Sequence, residues 1–528
     1  MSYLKNILNK NKTPQSQPIP GTKQVLNSAG GYSFPVDNWT RLERFLVLGS
    51  EGGSYYATQQ KLTAENAKAV QACVAADGLR AVKTIAQISD AGRAPKNDPA
   101  IFALAIAASE GDDKTRSAAL AALGAVCRTG THLFHFAQFV DGMRGWGRGL
   151  RKAVGAWYAE KDSDALAYQA VKYQQRDGWS HRDLLRLSHP KPENEQKKAL
   201  YHWITQGASG ENIPALPAMI GAFEQAKRAQ SAAEIVTLIR DANLPREAIP
   251  TQFLTEKSVW EALLASGMPL TALLRNLATM TRVGIFDDRE QVKAVSARLT
   301  DTATLKKARV HPIAVLSALK TYGSGKGVRG NSTWKPVGTL VDALDAAFYA
   351  SFGNVEATGK RWVLALDVSG SMGGGEVAGI PGLTPRDASA AMALITAATE
   401  DDYKMVAFQD KLTELNITPR QRLDDVAGRI SNLPFGSTDC AQPMLWALKN
   451  KVKADVFVVY TDSETWHGSI HPVQALRQYR EQLGIPAKLI VVGMVSSGFS
   501  IADPSDGGCL DVVGFDTATP QLMSDFVR

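Results

Sequence analysis

Trp362-Val363-Leu364-Ala365-Leu366-Asp367-Val368-Ser369-Gly370-Ser371 joins an apolar pentapeptide to a loop of small polar residues. A short continuous apolar run bounded by a turn suits a strand covered on both faces. Its end then carries one carboxylate and two hydroxyls to a single rim. Hard oxygen ligands with few formal charges suit Mg²⁺, which keeps waters or takes an outside carboxylate to complete its octahedron. A second apolar run, Val456-Phe457-Val458-Val459-Tyr460, ends in Thr461-Asp462, and the turn-rich stretch Gly436-Ser437-Thr438-Asp439 lies between the two. Asp367, Ser369, Ser371, Thr438 and Asp462 are therefore the candidate ligands of one divalent cation, delivered by three strand-end loops. The alternative is a strand-to-helix turn that uses such residues only for capping.

This arrangement resembles the metal-ion-dependent adhesion site of von Willebrand factor A domains, Asp-x-Ser-x-Ser followed by a Thr and then an Asp, and all five positions are matched. The surroundings agree. Apolar β runs at 362–366, 403–408, 456–460 and 488–495 alternate with helical segments, one of them opening Thr384-Pro385-Arg386-Asp387. There Thr384 can cap, Pro385 suits the first helical position and Asp387 can return a bond to the cap. A doubly wound α/β domain is expected over 354–528, with ligands at the carboxyl ends of its strands.

At 528 residues the chain exceeds one ordinary core, and two to four domains are expected. No stretch approaches the roughly 18 to 20 uninterrupted apolar residues of a membrane span. Met1 to Pro20 is rich in Asn, Lys and Pro and has no apolar signal core, so a cytoplasmic protein without membrane attachment is expected. Cys73, Cys127, Cys440 and Cys509 are scattered without Cys-x-x-Cys spacing, which argues against a zinc knuckle or a disulfide framework. The net charge of +7 is unevenly placed: from Lys360 onward 15 Lys and Arg face 20 Asp and Glu, which leaves 44 against 32 for the rest of the chain. The positive charge belongs to the N-terminal two-thirds. Such segregation points to a polyanion, with nucleic acid ahead of a membrane surface because no lipid-facing amphipathic helix stands out.

Residues 1–30 read as a flexible arm, with Pro14, Pro18, Pro20 and Ser28-Ala29-Gly30-Gly31. Residues 31–353 read as a helical domain. Ile235, Leu238, Ile239 and Ala242 fall at i, i+3, i+4, i+7, as do Leu270, Leu273, Leu274 and Leu277 after Pro269. Many short helices joined by tight turns cannot share one central core, so stacked antiparallel helix pairs are expected, although no clean sequence repeat is present.

Within that domain Ser180-His181-Arg182-Asp183 marks a helix start that Pro190 ends. Arg182, Arg186 and His189 fall at i, i+4, i+7, one basic face, and Lys172 and Arg176 just before them are also four apart, near Tyr173 and Trp179. Cationic groups at helix-turn spacing can track phosphates while neighbouring aromatics stack unpaired bases. A basic face that is merely solvated has the same pattern.

The stretch from Lys172-Tyr173-Gln174-Gln175-Arg176-Asp177-Gly178-Trp179 through Ser188-His189-Pro190-Lys191-Pro192 resembles the signature of the Ro autoantigen family, whose helical domain is called TROVE. Cys127-Arg128-Thr129-Gly130-Thr131-His132-Leu133-Phe134, Arg144-Gly145-Trp146-Gly147-Arg148-Gly149-Leu150-Arg151-Lys152 and Leu274-Arg275-Asn276-Leu277 agree, and the resemblance runs over nearly the whole chain. It implies an α plus α/β multidomain fold: a ring of HEAT-like antiparallel helix pairs closed by a von Willebrand factor A domain. It further implies a noncatalytic protein of RNA quality control and stress response. Small noncoding Y-like RNAs would bind its outer surface, and single-stranded 3′ ends of misfolded RNAs would enter the hole. In the family, basic residues matching Lys172, Arg176 and His189 contribute to RNA binding, whereas Arg182 and Arg186 rest on helix spacing alone. An exoribonuclease or another protein docking through the metal site, and a monomeric chain, complete these expectations.

Gly323-Ser324-Gly325-Lys326-Gly327 fails the Gly-x-x-x-x-Gly-Lys-Ser/Thr spacing and follows a helical segment, so it reads as a basic loop and not a phosphate cradle. His132 and His135 lack a partner Cys or carboxylate pair in sequence and read as core or RNA-facing residues. The glycines between Arg144 and Arg151 serve equally well for close RNA approach or tight helix crossing. No nucleophile, base and orienter arrangement emerges, and the metal loop lacks the dense carboxylates of a two-metal nuclease.

Overall fold

The computed structural model describes residues 12–49, 59–208, 215–327, 331–352, 355–377, 383–434 and 436–528. The domain junction expected between 353 and 354 lies outside these residues.

Among the described residues from Asn38 to Ala350 the structure is helical apart from turns and one short hairpin. Leu270–Arg282 buries Leu270, Leu273, Leu274 and Leu277, with Met280 extending the stripe. Ala232–Ala242 is capped by Ser231, whose hydroxyl accepts from Glu234 N–H, and is stopped by Asn243 at φ 53°. It fully buries Ile235 and Ile239, while Leu238 and Ala242 are half-buried. Each fully buried Leu or Ile contributes about 2 kcal/mol by leaving water, so these faces set the stacking.

The helical array closes on itself. Near its far end the Arg309 guanidinium binds Asp90 (2.7 Å), and His311 Nε2 donates to the carbonyls of Arg93 (3.0 Å) and Phe515 (2.8 Å). The A domain fills the seam through Arg44 with Asp511, Arg93 with Asp516, Lys320 with Asp387 and Arg422 with Asp342. Residues from both ends of the array thus meet one another and meet the A domain, which makes the expected ring.

The strands, in chain order, are β1 (Val25–Leu26), β2 (Tyr32–Pro35), β3 (Gln175–Arg176), β4 (Trp179–Ser180), β5 (Trp362–Asp367), β6 (Tyr403–Phe408), β7 (Leu412–Leu415), β8 (Val456–Thr461), β9 (Lys488–Gly493), β10 (Phe499–Ser500) and β11 (Cys509–Val513). The main sheet runs β11-β9-β8-β5-β6-β7, parallel except for β7. All six residues of β5 are buried. Leu364 and Leu366 join a buried apolar network continuous with the helical domain, and Val363 and Ala365 join the opposite layer with Phe457, Met444 and Leu476. Because β6 pairs on one side of β5 and β8 on the other, the strand order reverses at β5, and the crevice at its carboxyl end is where such sheets bind ligands.

Residues 12–30 correct the expectation of a flexible arm; residues 1–11 lie outside the described residues. β1 pairs with β2, β2 pairs with β10 of the A domain, and Gln15 is completely buried. The polar composition that reads as a solvated tail instead satisfies buried partners more than 400 positions away, such as Asn27 Nδ2 donating to Thr465 O at 2.7 Å. Among the described residues no helix is long and apolar enough to cross a membrane.

Candidate functional site

Asp367 ends β5, and its two oxygens are used differently: Oδ1 accepts from Ser369 N–H (2.9 Å) and Oδ2 from the Thr461 hydroxyl (2.6 Å). Ser369 Oγ and Ser371 Oγ lie 3.1 Å apart. Asp462 follows β8 and accepts from Glu464 N–H through Oδ1 (3.0 Å). Thr438 is drawn to the same edge because its carbonyl accepts from Trp466 N–H (3.2 Å) and His467 N–H (3.0 Å). Arg386, which the sequence offered only as a neighbour of capping residues, donates to Val368 O (2.6 Å) and Ser369 O (3.0 Å) and fixes the first loop. The capping box of Thr384 and Asp387 forms at the start of Pro385–Thr399 and aims Arg386 inward.

All five candidate ligands are buried. Burial pushes the Asp367 carboxyl up in pKa, and burial with the charges of Asp367 and Glu464 does the same to Asp462. Thr438 Oγ1 and Asp462 Oδ2 are buried without a hydrogen-bond partner. Buried polar atoms left unpaired cost about 1–3 kcal/mol each and call for an explanation. Two close carboxylates and three hydroxyls, with one oxygen of each kind left unpaired, form a donor set that fits a hard divalent cation.

The basic candidates lie elsewhere, and here the structure corrects the helix spacing. Lys172 is the last residue of Ser163–Lys172, whereas Arg176 sits in β3, paired with β4 across a turn in which Asp177 and Gly178 take φ 53° and 79°. The helix ends at Lys172, because Tyr173 leaves it at φ −119°, ψ 72°, and Asp177-Gly178, the strongest short signal for a two-residue hairpin, takes Arg176 into a strand instead. Lys172 is half-buried, donates to Tyr168 Oη (2.8 Å) and lies over the Tyr168 and Tyr173 rings. The hairpin is anchored by Asp177 on His135 Nδ1 (2.5 Å) and by Trp179 Nε1 on Gln138 Oε1 (2.9 Å), with Trp146 and Trp179 rings 5.5 Å apart.

Ser180 and Asp183 form the expected capping box of His181–Ser188. Arg182 and Arg186 share the exposed face, and Leu184 and Leu185 are buried. His189 is exposed but takes φ 47° beyond the helix end, so it does not continue that face. His181 is the buried post under this region: its Nδ1 meets Tyr158 Oη at 2.8 Å, and burial pulls its pKa down to about 4. A side chain at Gly130 would strike the His181 ring at 2.7 Å, and one at Gly149 would press Leu120 at 3.1 Å, so these glycines serve close packing.

Two family profiles match the chain: the TROVE domain over residues 25–215 and 241–322, and the Ro60 vWA domain over 361–527. The chain belongs to the Ro60 family. The RNA-binding protein RO60 of Deinococcus radiodurans is similar to this Ro60 family member at 44% identity over 532 residues, covering 100% of this chain and 99% of the relative. The RNA-binding protein RO60 of Caenorhabditis elegans is 38% identical over 581 residues, covering 96% of this chain and 90% of the relative. The crystal structure of the Deinococcus radiodurans Ro (RSR) protein matches with a TM-score of 0.70 at 45% identity, over 93% of this chain and 99% of that one.

Proposed function

We propose that this Ro60 family member is a noncatalytic RNA-binding protein whose A domain carries one Mg²⁺. The observation that carries the reading is the end-to-end similarity to proteins named for RNA binding, joined to an exposed basic group in the helical domain. Arg176, paired across a clamped hairpin with Trp179, and the exposed Arg182 and Arg186 on the following helix give a mixture of cations and aromatics suited to phosphates and unpaired bases. Lys172 and His189 flank them. Y-like RNA is expected to dock on this outer face, and single-stranded 3′ ends of misfolded RNAs to enter the ring, in RNA quality control and stress response.

Asp367, Ser369, Ser371, Thr438 and Asp462 would hold the cation, some directly and some through water. A bound Mg²⁺ supplies a positive charge that can accept a carboxylate from a partner, such as an exoribonuclease subunit. Arg386 holds the first loop in place, and Glu464 N–H orients Asp462. Incubating the purified full chain with labelled single-stranded RNA and Mg²⁺ tests the reading: RNA retained intact supports a binding scaffold, cleavage supports a nuclease, and neither supports a protein-only adaptor.

A further inference from the structure

The segment from Thr13 to Phe34 lies across the loops that carry two of the metal candidates, and its contacts centre on Gln15. That side chain is completely buried, and its amide group is fully engaged. Nε2 donates to Asp439 Oδ1 (2.6 Å) and Ile470 O (2.8 Å), while Oε1 accepts from the Thr465 hydroxyl. Its backbone N–H donates to Gly468 O (3.0 Å), and its carbonyl accepts from Tyr32 N–H (2.9 Å). Asp439 is the neighbour of Thr438, and Thr465 lies three residues beyond Asp462. One amide thus bridges the Thr438 loop to the Asp462 loop.

Further contacts repeat the bridge on the Asp462 side. Asn27 Nδ2 donates to Thr465 O (2.7 Å), Ser33 Oγ to Ser463 O (3.0 Å), and Ala29 N–H to the Glu464 carboxylate (3.1 Å), whose own N–H orients Asp462. The fit is close enough to require glycine at two points. A Cβ on Gly31 would lie 2.0 Å from Thr465 O, and one on Gly468 would lie 2.6 Å from Gln15 Nε2 and 2.8 Å from Asp439 Oδ1. The strap is therefore fitted to the metal-site loops at atomic contact distance.

We propose that Gln15 is a positioning residue for the metal site, and that docking of the 13–34 strap and cation binding reinforce each other. The inference rests on the reading of Asp367, Ser369, Ser371, Thr438 and Asp462 as metal ligands. Thr438 and Asp462 come from different loops, and their spacing depends on what holds those loops together. Gln15 reaches neither ligand; it acts through Asp439 and Thr465. Because coupling is reciprocal, a cation that draws Thr438 and Asp462 together must hold the strap more firmly by the same free energy.

The test uses the full chain. Calorimetric titration with Mn²⁺ is run on wild type, Gln15→Ala and Asp367→Ala, together with trypsin cleavage after the exposed Lys23 with and without Mn²⁺. Residues that orient metal ligands typically change affinity by roughly 10- to 100-fold, and Gln15→Ala is expected to weaken Mn²⁺ binding by about tenfold. In wild type, saturating Mn²⁺ is expected to slow cleavage after Lys23, and Asp367→Ala is expected to abolish that protection. Equal Mn²⁺ affinity in wild type and a folded Gln15→Ala overturns the positioning role and leaves the metal site standing. No Mn²⁺ binding by wild type overturns the metal site and this inference with it. The wild-type cleavage decides even where Gln15→Ala does not fold, since a rate unaffected by bound Mn²⁺ shows no coupling.

Discussion

Arg44 and Asp511 form a bidentate ion pair, with one guanidinium nitrogen 2.6 Å and 2.8 Å from the two carboxylate oxygens, that joins the helix Asn38–Leu48 to β11. The other terminal nitrogen donates to the carbonyls of Ser497 (2.7 Å) and Phe499 (2.8 Å), so both terminal nitrogens of a side chain only 1% exposed bond across a domain boundary. Breaking such a pair from one side leaves a poorly hydrated charge and costs about 3–5 kcal/mol. Arg44→Ala is expected to lower the urea midpoint accordingly. Arg44→Lys should recover only part, because an ammonium cannot reproduce the planar fork. Equal midpoints for Lys and Arg at this position would show that the fork geometry is unimportant.

His311 gives the ring seam a pH dependence. Its Nδ1 accepts from Ile313 N–H (3.1 Å), so the ring proton sits on Nε2, facing Arg93 O and Phe515 O. Burial pulls its pKa down to about 4, against about 6.5 in an unfolded chain. Below pH 6.5 the unfolded chain takes the proton first, so stability is complete above that pH and is lost as pH falls toward 4. The loss from this one group reaches about 3 kcal/mol. Unfolding midpoints at pH 7.5, 6 and 5 are expected to fall for wild type and to fall less for His311→Gln; parallel pH slopes would assign the acid sensitivity elsewhere, for instance to His181.

Much of the A domain was legible in sequence because its signals are local. Five consecutive apolar residues announce β5, and Thr384-Pro385-Arg386-Asp387 announces a helix start whose capping box forms. The helical stripes at Leu270 to Leu277 were legible for the same reason. What escaped was non-local or contradicted by a shorter signal. Gln15 and Asn27 read as tail residues because their partners lie more than 400 positions away. Lys172 and Arg176 share helical spacing, but the turn at Asp177-Gly178 takes Arg176 into a hairpin strand beyond the helix that Lys172 ends, a signal present in the sequence and outweighed there by the charge pattern. His135 meets Asp177 only because the hairpin folds back over Gly130–Met143.

Asp462→Asn separates the metal site from its cost. Two buried carboxylates, Asp367 and Asp462, repel each other, and Arg386 is the cation acting on Asp367. Neutralising one is expected to stabilise the metal-free protein by about 1 kcal/mol, a rise of roughly 2–4 °C for a domain of this size. The same variant should lose the upward shift in melting temperature that Mn²⁺ gives wild type. Thermal melts in EDTA and in Mn²⁺ check both; a variant that melts lower in EDTA would show that the carboxylate stabilises the loop by hydrogen bonding.

Replacing Lys172 and Arg176 together by Ala is expected to weaken RNA binding at every sequence tested. Each cation withdrawn from a phosphate of a single strand lowers the slope of log K against log salt by roughly 0.7, so the pair should lower it by roughly 1.4. Arg176 is exposed and free of the core, while Lys172 also packs on Tyr168, so the Arg176→Ala single variant isolates the electrostatic share. An unchanged slope in a folded double variant would remove both residues from the interface.

The ring geometry carries the last prediction. Under the proposed function a single-stranded 3′ end enters the ring and an A-form duplex does not, whereas a structured Y-like RNA docks outside through shape and phosphate contacts. Arg176, Arg182 and Arg186 are exposed on one hairpin and the helix after it, so a Y-like RNA held there should obstruct other RNAs by overlap and by charge. The protein is therefore expected to bind a structured RNA with a free single-stranded 3′ tail more tightly than the same RNA with a blunt end, and a Y-like RNA should compete with the tailed form. Gel-shift titrations of the tailed and blunt versions, with and without the competitor, measure both effects. Indistinguishable affinities would remove threading through the ring and leave the outer basic face as the RNA site.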